Sequence, residues 1–282
     1  MIFYCSGKVL RRLRLRPRCL RGVSQLDIGC EIFGEKMKWP LGIAPTAMQK
    51  RAHPDDELGN ARAAGQAGSI FILSNLSNTS LEDLAAGEPD TFKWFQLYIY
   101  KDLMITEKMI HRCEGRRRGP TITGTSGINE YVAGQLDRTI TWKDIQWLKK
   151  VTRLPIVVKG ILTAEDAVLA KEFGCTGIIV SKQGARQLYT VPASIEALLE
   201  VVKAVGHDLV VMLDGGIMQG IDIFKALALG AKTVFVVCVV FLGCIFVSVA
   251  YVPRPIFGDA SALMKGIRCW RSVLHYMREL GM

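Results

Sequence analysis

No acidic residue occurs before Asp27, although Lys8, Arg11, Arg12, Arg14, Arg16, Arg18 and Arg21 precede it. An arginine-rich, acid-poor start has the composition of a mitochondrial transit peptide. The chain also lacks any CxxC pair, and none of its eight cysteines stands beside a histidine at metal-ligand spacing. That excludes a zinc ribbon, a dithiol redox motif and the disulfide framework of a small secreted domain, so the thiols are expected reduced in an intracellular protein. The net charge of +10, with a second cluster at Arg116-Arg-Arg118, comes without a recognition motif or an interleaved aromatic stripe. Nucleic-acid binding is therefore not expected. Nor do the last residues, Glu279-Leu-Gly-Met282, form a Ser-Lys-Leu type peroxisomal address.

What the chain does contain is a regular alternation. Short apolar runs at 41–47, 69–75, 92–98, 155–161, 177–182, 209–214 and 233–237 predict strands. Between them, helical patterns fall at 56–67, 80–87, 103–114, 142–152, 163–173, 193–205 and 220–229, with Ser80 and Thr163 as caps. Such alternation is the sign of parallel βαβ units. The 282 residues suffice for one barrel of eight such units, whose usual size is about 250 residues. We therefore read residues 1–282 as one domain with a divergent amino-terminal segment at 1–15.

Only seven strands are predicted where a closed barrel needs eight. The gap falls between Glu114 and Trp142, around Gly115-Arg-Arg-Arg-Gly-Pro-Thr-Ile-Thr-Gly-Thr-Ser126. Either Pro120-Thr-Ile-Thr123 serves as a very short fourth strand, or the barrel is incomplete and keeps an open edge. A second irregularity is the uncharged run Val234 to Val252, nineteen residues long. It reads as strand eight followed by an apolar insertion at 237–252; the alternatives are a membrane helix, whose minimum length it meets, and an aberrant gene product.

Several segments resemble one family in its own order. They are Pro40-Leu-Gly-Ile-Ala-Pro-Thr-Ala-Met-Gln49 with His53-Pro-Asp-Asp-Glu57 and Asn60-Ala-Arg-Ala-Ala64, then Lys93-Trp-Phe-Gln-Leu-Tyr98 and Leu154-Pro-Ile-Val-Val-Lys-Gly-Ile161. Ser181-Lys-Gln-Gly-Ala-Arg-Gln-Leu188, Leu213-Asp-Gly-Gly216 and Lys225-Ala-Leu-Ala-Leu-Gly-Ala231 follow. This pattern resembles the FMN-dependent 2-hydroxy-acid oxidases, which include glycolate oxidase, lactate oxidase and flavocytochrome b2. The resemblance implies an α/β fold, a (β/α)8 TIM barrel, incomplete here because the fourth strand and its loop are missing. It extends to Arg16-Pro-Arg-Cys-Leu-Arg-Gly-Val-Ser24, which resembles the family's pre-barrel strand and competes with the targeting reading. Localisation thus stays open among peroxisomal, by resemblance, cytoplasmic and mitochondrial.

The resemblance implies FMN as cofactor and a small 2-hydroxy acid as substrate, oxidised to the 2-oxo acid with oxygen as final acceptor. It implies that Pro45, Thr46 and Ala47 line the flavin and that Ser74 and Gln96 bond its ring edge, with Ser181 at the strand end beside them. Lys159 is implied to face the N1–C2 carbonyl side, where a cation stabilises the charge of reduced flavin. Asp214, Gly215 and Gly216 suit the ribityl and phosphate end, since glycine lets backbone N–H groups approach an anion. Arg186 matches the arginine that forks onto the substrate carboxylate, and Tyr98 the tyrosine near the reacting hydroxyl. A homo-oligomer, a tetramer by resemblance, is expected; membrane association is the less favoured partner reading.

The departures are as specific as the matches. Gln183 stands where the family has its catalytic histidine, and an amide has no usable proton affinity at neutral pH. Tyr189 replaces the aspartate that orients that histidine, Leu76 a tryptophan, and Met218 and Cys238 two arginines of the phosphate end. Arg254 restores the second of these only if the insertion loops out. His53 reads as a loop or capping residue rather than a substitute base. Two functions follow: an oxidase of this family with Gln183 at the base position, or a catalytically inactive FMN-binding or regulatory relative; a truncated product is a third reading.

Overall fold

A computed structural model describes residues 9–16, 19–20, 27–115, 134–185, 188 and 190–236. It opens with an antiparallel hairpin that the periodicity does not predict, β1 (Cys30–Ile32) and β2 (Glu35–Met37). Phe33 and Gly34 form its turn with φ of 53° and 87°, the two consecutive positive values of a tight two-residue hairpin loop. Strands of three residues around a Phe-Gly turn carry too short an alternation, and no Asn-Gly signal, to be read in advance.

Seven parallel strands follow: β3 (Leu41–Ile43), β4 (Ile70–Ser74), β5 (Phe92–Gln96), β6 (Val157–Ile161), β7 (Gly177–Val180), β8 (Val210–Asp214) and β9 (Val234–Val236). All seven predicted strands are present, most of them shorter than their apolar runs. The helices are α1 (Asp56–Ala67), α2 (Leu81–Gly87), α3 (Leu103–Cys113), α4 (Trp142–Val151), α5 (Ala164–Glu172), α6 (Ser194–Val205) and α7 (Gly220–Ala228). The two expected caps are present, Ser80 accepting from Asp83 N and Thr163 from Asp166 N.

Spatial order in the sheet is β5-β4-β3-β9-β8-β7-β6. The last strand pairs with the first, as in a closed (β/α)8 barrel, and the sheet ends at the two strands that a fourth strand would join. Burial falls at both edges of the described sheet. Every residue of β5 is half-buried, and so is all of β6 except Ile161, whereas β3, β4 and β7 are wholly buried. Outside the sheet, α3 and α4 draw together across the opening. Ile99, Ile110 and Leu148 form a buried cluster there, and Thr152 Oγ1 donates to Glu114 Oε1 at 2.5 Å.

Alternation sorts the side chains into two layers. Ile70, Ile72, Ile179, Met212 and Phe235 fill the interior, and Ile32 and Met37 of the hairpin plug it. Trp94 occupies the middle, stacked on Phe33 at 5.5 Å and 5.9 Å from Phe235. The outward row of Phe71 and Leu73 meets α1, and Ile178, Val180, Val211 and Leu213 belong with the residues of α5, α6 and α7 to a larger cluster. Burial also pushes two thiols up, Cys113 to about 12 and Cys175 to about 11. Among the described residues no helix is long and apolar enough to cross a membrane. The 237–252 run and Pro120 to Thr123 lie outside the described residues.

The β3–β9 seam is tight at one point. Gly42 pairs with Phe235, and a Cβ on Gly42 would stand 2.5 Å from Ile70 Cγ2 and 2.6 Å from Phe235 Cε1. Gly42→Ala is therefore expected to destabilise the fold by about 1–3 kcal/mol through overpacking. Urea unfolding checks this; an unchanged midpoint would contradict the seam.

Candidate active site at the strand ends

The interior row changes chemistry at the carboxyl ends of the strands. Stepping two residues along each strand from an inward apolar side chain reaches Ser74 after Ile72, Gln96 after Trp94, Lys159 after Val157, Ser181 after Ile179 and Asp214 after Met212. A period of two keeps these on the same inner face, so five polar side chains crown an apolar barrel. That is the face on which barrels of this kind carry their chemistry.

Lys159 is the hub. Its Nζ stands 2.6 Å from Asp214 Oδ2 and donates to Gln183 Oε1 at 3.2 Å and to Ser181 Oγ at 3.3 Å. The pair is largely withdrawn from water, with 19% and 6% of the two side chains exposed. A cation and an anion held this way must stay paired, because an uncompensated buried charge is strongly unfavourable. Ser181 Oγ also accepts from Gln183 N at 3.1 Å, so three strand ends meet at one ammonium.

The backbone is shaped around this hub. Gly160 has φ +113°, and the β6–β7 register shifts between Lys159 and Ile161, a bulge of the kind that re-aims side chains beside active sites. Gln183 itself has φ 51°, a left-handed conformation uncommon for a residue with a side chain, and Gly184 follows at 66°. Gly215 and Gly216 have φ of 90° and 84°, which suits glycine and turns the backbone at the end of β8. Ser194, at the start of α6, accepts from Lys182 N at 3.2 Å, and its Oγ would lie 3.4 Å from a Cβ on Gly215.

On the other half of the sheet, Ser74 Oγ donates to Gln96 Oε1 at 3.3 Å across the β4–β5 pair. Asn75 Nδ2 donates to Tyr100 OH at 2.9 Å. Pro45, Thr46 and Ala47 form the loop after β3, tied down because Gln49 Nε2 donates to Thr46 O at 3.1 Å. That loop has an anchor to which the sequence alone assigns no role. The fully buried Glu57 carboxylate accepts from Gln49 N, Asn78 N, Thr79 N and Thr79 Oγ1, fastening the first βα loop to the second. A carboxylate in the first turn of α1 is the signal that points to it. His53 Nδ1 accepts from Asp55 N at 3.2 Å, the loop role expected of it.

Lys159, Ser181, Gln183 and Asp214 are thus brought together, and Ser74 with Gln96 forms a second pair. Tyr98 lies past the end of β5 and is 42% exposed. Met218 is 48% exposed. Arg186 lies outside the described residues.

A parallel sheet with its last strand beside its first, helices outside it and polar side chains at the strand ends has the architecture of an α/β-barrel enzyme. The comparisons narrow the class. The model of the FMN-dependent dehydrogenase family matches residues 6–123 and 115–246, and the chain belongs to that family. The two matched stretches overlap at residues 115–123. Glycolate oxidase 5 of Oryza sativa subsp. japonica is 45% identical over 271 residues, covering 82% of this chain and 73% of that relative. Glycolate oxidase 3 of Arabidopsis thaliana is 46% identical over 265 residues, covering 80% and 72%. Among solved structures, a mandelate oxidase with a monooxide FMN adduct superposes with TM-score 0.82 at 31% identity, covering 99% of this chain and 87% of that one. A lactate oxidase of Pediococcus acidilactici superposes with TM-score 0.84 at 26% identity, covering 99% and 82%.

The hub makes a stability prediction. Asp214→Ala, which strands the Lys159 charge, is expected to destabilise the protein by about 3 kcal/mol. The Lys159→Met, Asp214→Leu double variant is expected to recover most of that loss. Chemical denaturation of the set checks the coupling; additive losses would show that the two groups do not act as a pair.

Proposed function

We propose that this chain binds FMN at the carboxyl ends of its strands and takes a small 2-hydroxy acid beside it, oxidising that acid to the 2-oxo acid only slowly. The observation that carries the reading is the Lys159 ammonium, fixed at the inner face by Asp214, Ser181 and Gln183. A buried lysine with an aimed Nζ is a group for an electron-rich ligand rather than a solvent-facing surface charge.

The residues present fit the ring end of FMN. Ser74, Gln96, Ser181 and Lys159 supply hydrogen-bonding groups around the inner rim, and the Gly215–Gly216 turn with its positive φ leaves backbone N–H groups accessible. In this reading Pro45, Thr46 and Ala47 line one side, Ser74 and Gln96 hold the ring edge, and Asp214 orients Lys159. The phosphate end is weaker, with Met218 in place of a guanidinium. Removing one charge-assisted hydrogen bond to the phosphate lowers cofactor affinity by roughly 10- to 100-fold.

FMN, when bound, supplies the acceptor for a hydride equivalent, and oxygen the final oxidant. The chain's own contribution is to bind and orient. Arg186 anchors the substrate carboxylate, and Tyr98 hydrogen-bonds near the reacting hydroxyl. Position 183 is where the hydroxyl proton has to go, and an amide cannot hold it. Loss of a general base lowers rates by about 10²–10⁴-fold. An inactive FMN-binding relative is the second reading, favoured by the engagement of Gln183 Oε1 with Lys159.

Anaerobic mixing with glycolate or lactate, followed by flavin bleaching, separates the two. Gln183→His is expected to speed reduction by about 100-fold, with a rate that rises with pH through the imidazole range while the parent stays flat. Adding Tyr189→Asp is expected to raise it further. A flavin-loaded histidine variant that bleaches no faster than the parent supports the inactive relative.

A further inference from the structure

We infer that this site prefers a 2-oxo acid to the corresponding 2-hydroxy acid, and that Gln183 sets the preference. The inference rests on the reading of the strand ends as an FMN and hydroxy-acid site, and concerns which oxidation state of the acid the site holds better.

An amide tip offers a carbonyl on one side and two N–H groups on the other. Which of them meets the ligand depends on what holds the first. Lys159 has only donors, so its 3.2 Å contact has to be with the Gln183 oxygen; the chemistry of the partner fixes the amide orientation. Nε2 is left as the unengaged group. It stands beside Gly160, 3.5 Å from the point a Cβ there would occupy, and the glycine places no side chain against it. Among the described residues Gln183 makes no hydrogen bond through Nε2.

A neutral imidazole at this position would offer an acceptor nitrogen to a hydroxyl proton. Gln183 offers N–H instead. A keto oxygen only accepts, so it matches. A hydroxyl can accept from Nε2 but must then place its own proton on Tyr98 or on water, because the Gln183 carbonyl is already engaged. Specificity of this kind arises because a site built for one hydrogen-bonding pattern leaves the other unpaired.

An incoming ring carbonyl that exchanges with the Ser181 contact at Lys159 would keep this orientation. The longest of the three Lys159 interactions is the 3.3 Å one to Ser181, and Ser181 Oγ keeps the Gln183 N–H at 3.1 Å when that hydrogen bond is exchanged. Asp214 and Gln183 then keep their contacts with Lys159, and Nε2 stays unengaged.

The test is an anaerobic stopped-flow titration of the FMN-loaded protein, in which the flavin spectral perturbation that precedes bleaching is read for glyoxylate against glycolate, and for pyruvate against lactate, in the parent, Gln183→Leu and Gln183→His. The parent is expected to bind the 2-oxo acid about five- to tenfold more tightly, the leucine variant to lose the distinction, and the histidine variant to reverse it. Equal affinities in a flavin-loaded parent, or a preference that survives in Gln183→Leu, overturn the inference and leave the FMN reading standing. Failure to load FMN contradicts the FMN reading itself and removes this inference with it.

Discussion

Three residues of β9 against three of β3 hold this sheet together. In a closed barrel two seams join the amino-terminal and carboxyl-terminal halves; among the described strands here only one does, because the sheet stops at β5 and β6. Leu41, Gly42 and Ile43 pair with Val234, Phe235 and Val236, and the close approach at Gly42 sets how near the two strands come. Everything on the rim depends on that seam. Ser74, Gln96 and the Pro45 loop sit on one half, whereas Lys159, Ser181, Gln183 and Asp214 sit on the other.

Among the described residues, apolar burial ties the two ends of the sheet. The cluster of Ile99, Ile110 and Leu148 links α3 to α4, and Trp94 with Phe33 and Phe235 fills the interior below the rim. The half-buried residues of β5 and β6 mark the two edges of the described sheet. The polar rim persists because it belongs to strands that are still paired. Lys159 and Asp214 are members of β6 and β8, both held by β7.

The sequence is explicit where periodicity runs long and silent where geometry is local. All seven parallel strands and the seven helices between them are legible, since each alternation spans enough residues to distinguish a period of two from one of 3.6. Strand ends are not: the apolar run from Leu41 continues to Ala47, but pairing stops at Ile43, before Pro45. The β1–β2 hairpin escapes because its strands have three residues each and its turn is Phe-Gly. At the site, the amide at position 183 is visible in the residue itself. The commitment of its carbonyl to Lys159 is not, because that depends on a bulge at Gly160 and a left-handed turn at Gln183. Glu57 shows the same limit: one acidic residue among several at a helix start proves to be a buried staple between two loops.

The central claim is that the seven described strands assemble a flavin-holding rim. Titrating the purified protein with FMN while recording visible absorption tests it most directly. The account predicts saturable uptake approaching one flavin per chain, with shifted absorption bands and quenched flavin fluorescence. A soluble, folded protein that leaves the flavin spectrum unchanged would contradict it.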